Sequence, residues 1–154
     1  MCCQKDNVKN SLAGIDYRFT DAELLQQALT HRSMGARNNE RLEFLGDSVL
    51  NLVVTSRLYE LRPDAQEGDL SRMRARLVRG VSLADIASGI GLGKNLNLGE
   101  GELKSGGFRR ASILADAFEA LLGAIYLDGG FDACARIITE LFDPLIDSLP
   151  PADD

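Results

Sequence analysis

The sequence predicts an all-α fold, a compact helical domain with one long central helix. Residues that favour helices, chiefly Leu, Ala, Arg and Glu, dominate the 154-residue chain, whereas aromatic residues make up only 6% and Trp is absent. Hydrophobic residues make up 45%, which is ample for one core in a chain of this length, so a single domain is expected. We expect that domain to span residues 15–149, after a loose lead-in over 1–14 and before the start of a linker at 150–154.

Two helices are predicted in the first half of the chain. Thr20 and Glu23 form a capping-box pattern, so the first helix is expected from about Asp21 to His31, after which the segment MGARNN breaks the pattern. The next helix is expected over 40–61, because a proline follows shortly and cannot continue a helix. This helix is apolar on most sides, which is typical of a helix at the centre of a fold.

Further helices and one long loop are predicted in the second half. Asp69 is expected to cap the helix LSRMRARLVR, and Ser82, with an acid three residues later, the helix LADIASGI. The glycine-rich stretch 91–110 predicts a loop with short ordered pieces, and long ordered loops are often functional. An alanine-rich helix is then expected to end at Gly129, followed by a last helix with a kink or break at Pro144.

Composition argues against several classes of protein. No run of about 18 apolar residues could span a bilayer, and the N-terminus lacks a signal-peptide pattern, so a cytoplasmic protein without a membrane partner is expected. Cys2, Cys3 and Cys134 offer neither a disulfide framework nor a zinc-site spacing and are interpreted as incidental thiols. The net charge of −6 argues, at first, against a nucleic-acid partner.

Acidic residues interrupt two helices that otherwise have the pattern of core helices. In ERLEFLGDSVL, the side chains of Glu40, Glu43 and Asp47 fall within an arc of about 60° at about 100° per residue, so they share a face. In the later helix, Asp116 and Glu119 share a face at i and i+3. Small residues at positions 115, 117, 120, 123 and 124 favour the close approach of another helix. Such an approach would bring the acids of the two helices together.

A divalent cation is the favoured explanation for these acids. Carboxylates in a half-buried site repel one another and need either protons or a positive partner. Oxygen ligation suits Mg²⁺ or Mn²⁺, and two such ions roughly 4 Å apart would support in-line attack of water on a phosphodiester. His31 is the only histidine, so neither a zinc site nor a di-iron bundle is expected within one chain. The alternative is that the acids pair with arginines or are solvated at helix ends.

The motifs around these acids resemble those of the bacterial ribonuclease III nuclease domain. NERLEFLGDSVL is similar to that family's signature stretch, and the resemblance extends from residue 12 to residue 147 through LTHRS, EGDLSRMRARLVRG and GELKSGGFRRASILADAFEALLGAIYLD. It implies an all-helical homodimer that uses Mg²⁺, and no organic cofactor, to hydrolyse double-stranded RNA to 5′-phosphate and 3′-hydroxyl ends, as in rRNA and mRNA processing. The double-stranded-RNA-binding domain that usually follows in the family has no match in this sequence, and weaker RNA affinity is expected without it.

The resemblance also implies roles for individual residues. The family's metal-binding carboxylates are matched by Glu43, Asp47, Asp116 and Glu119. Asp47 and Glu119 match the two that are usually singled out as catalytic. Glu40 and Glu67 match acids that flank the same site, and Phe44 matches an aromatic residue that packs across the dimer interface.

The mean charge hides an uneven distribution of basic residues. A basic stripe opposite a packing stripe is predicted on the helix after Asp69, and the glycine-rich loop adds further cations. The expected RNA-backbone track comprises Arg72, Arg76, Arg79, Lys104, Arg109 and Arg110. The alternative for each arginine is a pair with a neighbouring glutamate. His31 is interpreted as hydrogen-bonded near a helix end rather than as an acid or base.

Two other functions are compatible with the sequence. An RNA-binding module or dimeric regulator could hold a structural ion with the same carboxylates and perform no chemistry. A nuclease could also act on DNA, since the 2′-hydroxyl contacts that would exclude DNA cannot be assigned from sequence. Cleavage of duplex RNA that needs the metal and vanishes in Asp47→Asn distinguishes the enzyme from the module, and equal cutting of duplex DNA would indicate the DNA nuclease.

Overall fold

The computed structural model describes residues 9–151, which form α-helices and no β-strand. The predicted all-α class is therefore confirmed for this part of the chain. Short 3₁₀ turns lie at 32–34, 93–95 and 107–109. The α-helices are α1 (Ala22–Ala28), α2 (Glu40–Leu61), α3 (Glu67–Val78), α4 (Gly80–Gly89), α5 (Glu100–Lys104), α6 (Ala111–Gly129) and α7 (Phe131–Asp147).

The long helix α2 is central, with the bounds that the sequence predicted. It packs against α6 and α7, while α4 covers another side of α6. Leu50 of α2, Phe118 of α6 and Phe142 of α7 are fully buried, and the two phenylalanine rings lie 6.5 Å apart. The hydrophobic core therefore lies between these three helices, and α6, the most apolar of them, is covered on most sides.

Polar links fix the ends of the bundle. The Arg57 guanidinium of α2 donates two hydrogen bonds to the Asp143 carboxylate of α7, at 2.9 and 2.7 Å. Arg62, which follows α2, donates to the backbone carbonyls of Ile146 and Leu149 at 2.7 Å each. A cation beside the carbonyls at the C-terminal end of α7 is favourable, because that end of a helix carries partial negative charge.

The predicted first helix differs at both ends from the observed α1. Asp21 rather than Thr20 is the N-cap, since its carboxylate accepts a hydrogen bond from the Glu23 N–H at 3.0 Å. The helix ends at Ala28, not His31, because the next residues pair with a distant segment: the Leu29 carbonyl accepts from the Asn97 N–H at 2.8 Å. Tertiary pairing thus replaces the last helical turn.

The predicted caps of α3 and α4 are wrong. Helix α3 begins at Glu67 with Gln66 as N-cap, so Asp69 lies in its first turn, where a carboxylate favours the positive end of the helix. Helix α4 begins at Gly80, and Ser82 lies inside it with its hydroxyl donating to the Arg76 carbonyl at 2.8 Å. Both helices start earlier than predicted, and neither N-cap side chain, Gln66 or Arg79, makes a cap hydrogen bond.

The C-terminal helices follow the prediction with one difference. Helix α6 ends at Gly129, and Gly130 adopts a positive φ of 91°, a conformation that glycine adopts without strain. Helix α7 continues through Pro144 to Asp147 and does not break there. The fully buried Phe142 and Ile146 on either side of the proline hold the helix against the core.

The predicted lead-in over 1–14 falls partly outside the described residues. Within the described part, Leu12 is buried and joins Ile15 and Phe19 in the core. The division into lead-in, domain and linker remains a prediction. Between residues 9 and 151, no helix is both long and apolar enough to cross a membrane.

Candidate active site

Helices α2 and α6 cross in backbone contact at two glycines. A Cβ atom added to Gly46 would lie 1.7 Å from the Glu119 carbonyl oxygen, and one added to Gly123 would lie 2.2 Å from the Leu42 carbonyl oxygen. Neither distance is possible for a real side chain, so only glycine allows this approach. The crossing point lies one turn or less from the acids of both helices, and it brings their side chains together.

Two carboxyl pairs bridge the crossing. Glu43 of α2 lies within hydrogen-bonding reach of Asp116 of α6, and Asp47 lies within reach of Glu119 one turn further along. One oxygen from each of Glu43, Asp116 and Glu119 lies within 4.8 Å of the other two. The structure therefore brings together the four acids that the sequence singled out, with three of them in the tightest group.

Three of the carboxyl groups, those of Glu43, Asp116 and Glu119, have a raised pKa and hold their protons more strongly than isolated acids do. Loss of solvation, followed by the charge on Asp116, raises the pKa of Glu43 to about 7. Burial, followed by the hydrogen bond with Asp47, raises the pKa of Glu119 to about 9. Loss of solvation also raises the pKa of Asp116. Four negative charges at this crossing are therefore unfavourable without a positive partner.

The arginines nearest the acid pairs are engaged elsewhere. In the described part of the chain, Arg32 lies 4.0 Å from Glu40, and Arg110 donates to Glu102 at 2.9 Å. All four residues line a cavity of about 130 Å³ that Glu43 and Asp116 also line. No guanidinium therefore fills the space among the four acids. The alternative that these acids pair with arginines would require one there.

Two loops at the mouth of this cavity are hydrogen-bonded to each other. The His31 N–H donates to the Asn97 carbonyl at 3.0 Å, and the Gly99 N–H donates to the Ser33 hydroxyl at 2.8 Å. A Cβ on Gly99 would lie 2.7 Å from the Ser33 carbonyl oxygen, so the contact requires glycine. We call the residues 30–33 and 97–99 the loop clasp; it fixes the backbone of Arg32 beside the acids.

His31 has the structural role that the sequence favoured. Its Nδ1 accepts a hydrogen bond from the Ser33 N–H at 3.1 Å and lies 2.8 Å from the Ser33 hydroxyl. Cys134 is buried, its thiol donates to the Leu122 carbonyl at 3.3 Å, and burial raises the pKa of that thiol to about 12. Such a thiol is not a nucleophile at neutral pH. Cys2 and Cys3 lie outside the described residues.

The predicted supporting residues lie in different places. Glu40 lines the same cavity as Glu43. Glu67 does not lie there within one chain, because it begins α3 and lines a separate cavity of about 200 Å³ with Tyr59 and Arg74. Phe44 projects from α2 with 80% of its surface exposed. The roles of Glu67 and Phe44 therefore remain predictions.

The predicted basic track is not continuous. Arg72 and Arg76 line a groove of about 180 Å³ with Pro150, and Arg72 is paired with Asp69. Arg79 lies between α3 and α4, where its guanidinium is 3.4 Å from the Ser82 hydroxyl. The other three cations, Lys104, Arg109 and Arg110, lie on the segment from α5 to α6. Of these three, only Arg110 lines the acidic cavity.

Sequence reasoning missed several residues that build this site. Gly46 makes the helix crossing possible, although its helical propensity argues against glycine at that position. Asn39 is 94% buried, and its amide donates to the Ala28 carbonyl at 3.1 Å, which ties the end of α1 to the start of α2. The sequence signal for Gly46 was a glycine inside a helix, and Asn39 is the N-cap residue of α2, a position where Asn is favoured.

Sequence comparisons connect this geometry to known proteins. A model of the family described as Ribonuclease-III-like matches residues 21–145. Ribonuclease 3 of Thiobacillus denitrificans is 62% identical over 137 residues, which cover 89% of this chain and 61% of that protein. Ribonuclease 3 of Bordetella petrii is 61% identical over 137 residues, covering 89% of this chain and 54% of the relative. The chain thus spans somewhat more than half the length of these curated relatives.

Solved structures show the same fold. The nuclease domain of ribonuclease III from Campylobacter jejuni matches with a TM-score of 0.83 at 43% identity, over 89% of this chain and 94% of that chain. A second structure of that domain, described for flexibility in a region involved in dimer formation, matches with a TM-score of 0.81 at 46% identity, over 83% and 90% of the two chains. Dicer from Pichia stipitis matches with a TM-score of 0.66 at 32% identity, over 84% and 57%.

Proposed function

The chain belongs to the Ribonuclease-III-like family, and from that premise we propose that it is a metal-dependent endoribonuclease that hydrolyses double-stranded RNA to 5′-phosphate and 3′-hydroxyl ends. The observation that carries the proposal is the pair of carboxyl contacts across the α2–α6 crossing, Glu43 with Asp116 and Asp47 with Glu119. A structural protein has no need of four acids at the point where two apolar helices touch. Processing of rRNA and mRNA precursors in the cytoplasm is the corresponding role.

The acid cluster fits a hard divalent cation. Three carboxylate oxygens within 4.8 Å of one another can share one ion, and oxygen is the ligand that Mg²⁺ and Mn²⁺ prefer. The raised pKa values of Glu43 and Glu119 fit as well, since a cation would favour the ionised carboxylates that burial disfavours. We therefore assign Mg²⁺, with Mn²⁺ as a substitute, to Glu43, Asp47, Asp116 and Glu119.

When bound, such a cation supplies positive charge that makes a nearby water more acidic and offsets the charge that develops on the phosphate. Asp47 and Glu119, the catalytic pair of the proposal, hydrogen-bond to each other in the metal-free site, where burial keeps a proton on Glu119. That proton and the proton on Glu43 would leave when a cation binds, so both glutamates would act as carboxylates in the loaded site. Asp47 is exposed and Glu43 is only half-buried, so solvent water reaches the acids.

The RNA backbone is proposed to follow the cations nearest the acids. Lys104, Arg109 and Arg110 lie on the α5–α6 segment beside the cavity, and the Arg109 guanidinium stacks over the Phe108 ring at 5.0 Å. Arg72, Arg76 and Arg79 lie on and after α3, and their contribution would require that RNA also pass along that helix. These contacts would be salt-dependent, because each replaces counterions on the RNA.

A homodimer is part of the proposal. Helix α2 exposes Phe44, Leu52 and Tyr59 by 80%, 56% and 76% of their surfaces. Positions 44, 52 and 59 fall within about 80° on a helix, so they form one apolar stripe. Exposed apolar stripes of this kind mark interaction sites. A twofold dimer with one site per subunit could cut both strands of a duplex.

The proposal is tested with labelled duplex RNA. The protein is incubated with RNA in Mg²⁺, in Mn²⁺ and in EDTA, alongside Asp47→Asn and the matched control Asp85→Asn, which changes an exposed acid of α4. We expect cleavage in both metals, none in EDTA, loss of about 10³-fold or more in Asp47→Asn, and wild-type cleavage in the control. Intact RNA in every condition, from protein shown to be folded and dimeric, would reject the enzyme in favour of an RNA-binding module. Equal cutting of duplex DNA would reject RNA specificity.

A further inference from the structure

The cavity beside the acid pairs has basic as well as acidic lining. Arg32 and Arg110 line it together with Ser112, in addition to the carboxylates of Glu43 and Asp116. The cavity volume of about 130 Å³ is several times the roughly 30 Å³ that one water occupies in the liquid. A tetrahedral anion such as a phosphate group therefore has room between the two arginines and the acid cluster.

The two guanidiniums are held only weakly by their carboxylate partners. Arg32 and Glu40 are 4.0 Å apart with side chains 72% and 56% exposed, so their contact is longer than a hydrogen bond. Arg110 and Glu102 are 2.9 Å apart and also partly exposed. Exposed ion pairs of this kind contribute little to stability. Both arginines can therefore exchange their carboxylate partners for a phosphate oxyanion.

The backbones that carry the arginines are fixed, in contrast to their side chains. The loop clasp holds the backbone of 30–33 against 97–99, as described above. Arg110 is the N-cap of α6, and its carbonyl accepts from the Leu114 N–H at 3.0 Å. Two guanidiniums on fixed backbones at the rim of one cavity lose only side-chain freedom, and no backbone freedom, when they bind a common ligand.

We propose that Arg32 and Arg110 bind the non-bridging oxygens of the scissile phosphate, and that Glu40 and Glu102 pair with these guanidiniums when RNA is absent. This inference rests on the proposed function. In the hydrolysis, a water oxygen bonds to phosphorus, the bond from phosphorus to the 3′-oxygen breaks, and a proton goes to that oxygen. The phosphate therefore stays on the 5′ end of the product, and the same two arginines hold it there after cleavage.

The charges of the site support this assignment. A phosphodiester that approaches four carboxyl groups is repelled unless positive charge also faces it. Two guanidiniums at the rim offset that repulsion from the chain's own residues. Their planar donor groups also match phosphate oxygens in pairs, which fixes the orientation of the phosphate as well as its position.

The test measures the affinity for the product as well as cleavage. Two product duplexes of identical sequence are prepared, one with a 5′-phosphate and one with a 5′-hydroxyl at the cut position. Their binding is measured by fluorescence anisotropy in EDTA, so that the chain's own residues determine the difference. The variants are Arg32→Met, Arg32→Lys and Arg110→Met. The matched control is Arg18→Met, which removes an exposed charge beside Tyr17, a residue bound to Asp128 at the opposite end of α6.

We expect the wild type and Arg18→Met to bind the 5′-phosphate duplex about tenfold more tightly than the 5′-hydroxyl duplex. Arg32→Met and Arg110→Met should lose that preference while they keep the affinity for the 5′-hydroxyl duplex, and Arg32→Lys should keep part of it. Single-turnover cleavage in Mg²⁺ should fall about 10²-fold in Arg32→Met. Unchanged unfolding temperatures in these variants would show that the loop clasp is intact.

The outcomes separate this inference from the proposed function. If the wild type cuts RNA but shows no preference for the 5′-phosphate, or if Arg32→Met keeps both the preference and the cleavage rate, the phosphate assignment is wrong and the nuclease remains. If the wild type leaves RNA intact in Mg²⁺, the nuclease is rejected, and the binding comparison still decides whether the two arginines recognise a terminal phosphate.

Discussion

Replacement of Glu119 by glutamine should stabilise the metal-free protein at neutral and alkaline pH. The wild-type carboxyl has a pKa of about 9 in the folded state, compared with an ordinary value of 4.5, because burial and the neighbouring Asp47 disfavour its ionised form. Glutamine is neutral at every pH, has nearly the same shape, and retains a donor for the Asp47 carboxylate. The variant therefore removes the cost of the charge and keeps the contact.

The size and sign of the effect follow from proton linkage. A carboxyl whose pKa is raised by folding makes its full contribution to stability below pH 4.5, and this contribution is lost as the pH rises through 9. The interval from pH 4.5 to pH 7 corresponds to at most about 3.5 kcal/mol at about 1.4 kcal/mol per pH unit. Glu119 is partly exposed, and solvent screening reduces this figure to on the order of 1–2 kcal/mol, or roughly 3–6 °C in unfolding temperature.

The assay is thermal unfolding followed by circular dichroism, in EDTA, from pH 4 to pH 9 at one protein concentration. The unfolding temperature of Glu119→Gln minus that of the wild type should be near zero at pH 4 and should increase up to pH 9. The control Asp85→Asn should show a difference that does not change with pH. Added Mn²⁺ should then stabilise the wild type more than Glu119→Gln. A glutamine variant less stable than the wild type at pH 8, or a pH-independent difference, would refute the electrostatic reasoning.

Three further predictions address the crossing, the stripe and the bundle. Gly46→Ala should destabilise the protein by about 3 kcal/mol or more in chemical unfolding, because the new methyl group would overlap the Glu119 carbonyl; a loss below about 1 kcal/mol would mean that the helices separate easily. Phe44→Asp should weaken dimerisation at least tenfold in analytical ultracentrifugation without lowering the monomer's helicity, and an unchanged dimer would place the interface elsewhere. Asp143→Ala should cost about 1–2 kcal/mol, since it leaves the partly buried Arg57 with the exposed Glu60 as its remaining carboxylate partner; equal stability in urea unfolding would show that the Arg57–Asp143 pair contributes nothing.

Periodicity predicted the helices and the faces of the acids, but not the helix ends. The shared face of Glu43 and Asp47 follows from 3.6-residue spacing, and the end of the 40–61 helix follows from the nearby proline; both depend only on local sequence, unlike the ends of α1. The start of α1 at Asp21 and the end at Ala28 depend on distant groups, since the Asp128 carboxylate accepts from two N–H groups at that start and Asn97 pairs with the residues after the end. A single sequence does not show which distant residues will hydrogen-bond to the ends of a helix.

The same limit explains why the acids were predicted and their spacing was not. A pair of acids on each of two helices indicates that the four carboxyl groups can meet. The distances between the carboxyl groups depend on where the helices cross, and Gly46 and Gly123 together set that point. Because the two backbones are in contact there, the helices cannot move closer, and the surrounding core keeps them from moving apart to relieve the repulsion between carboxylates. The raised pKa of Glu119 is therefore a consequence of backbone geometry. Arg32 and Arg110 supply positive charge at the rim of the cavity, but a cation or a proton is still needed among the acids themselves. At neutral pH the choice between cation and proton depends on the concentration of free metal.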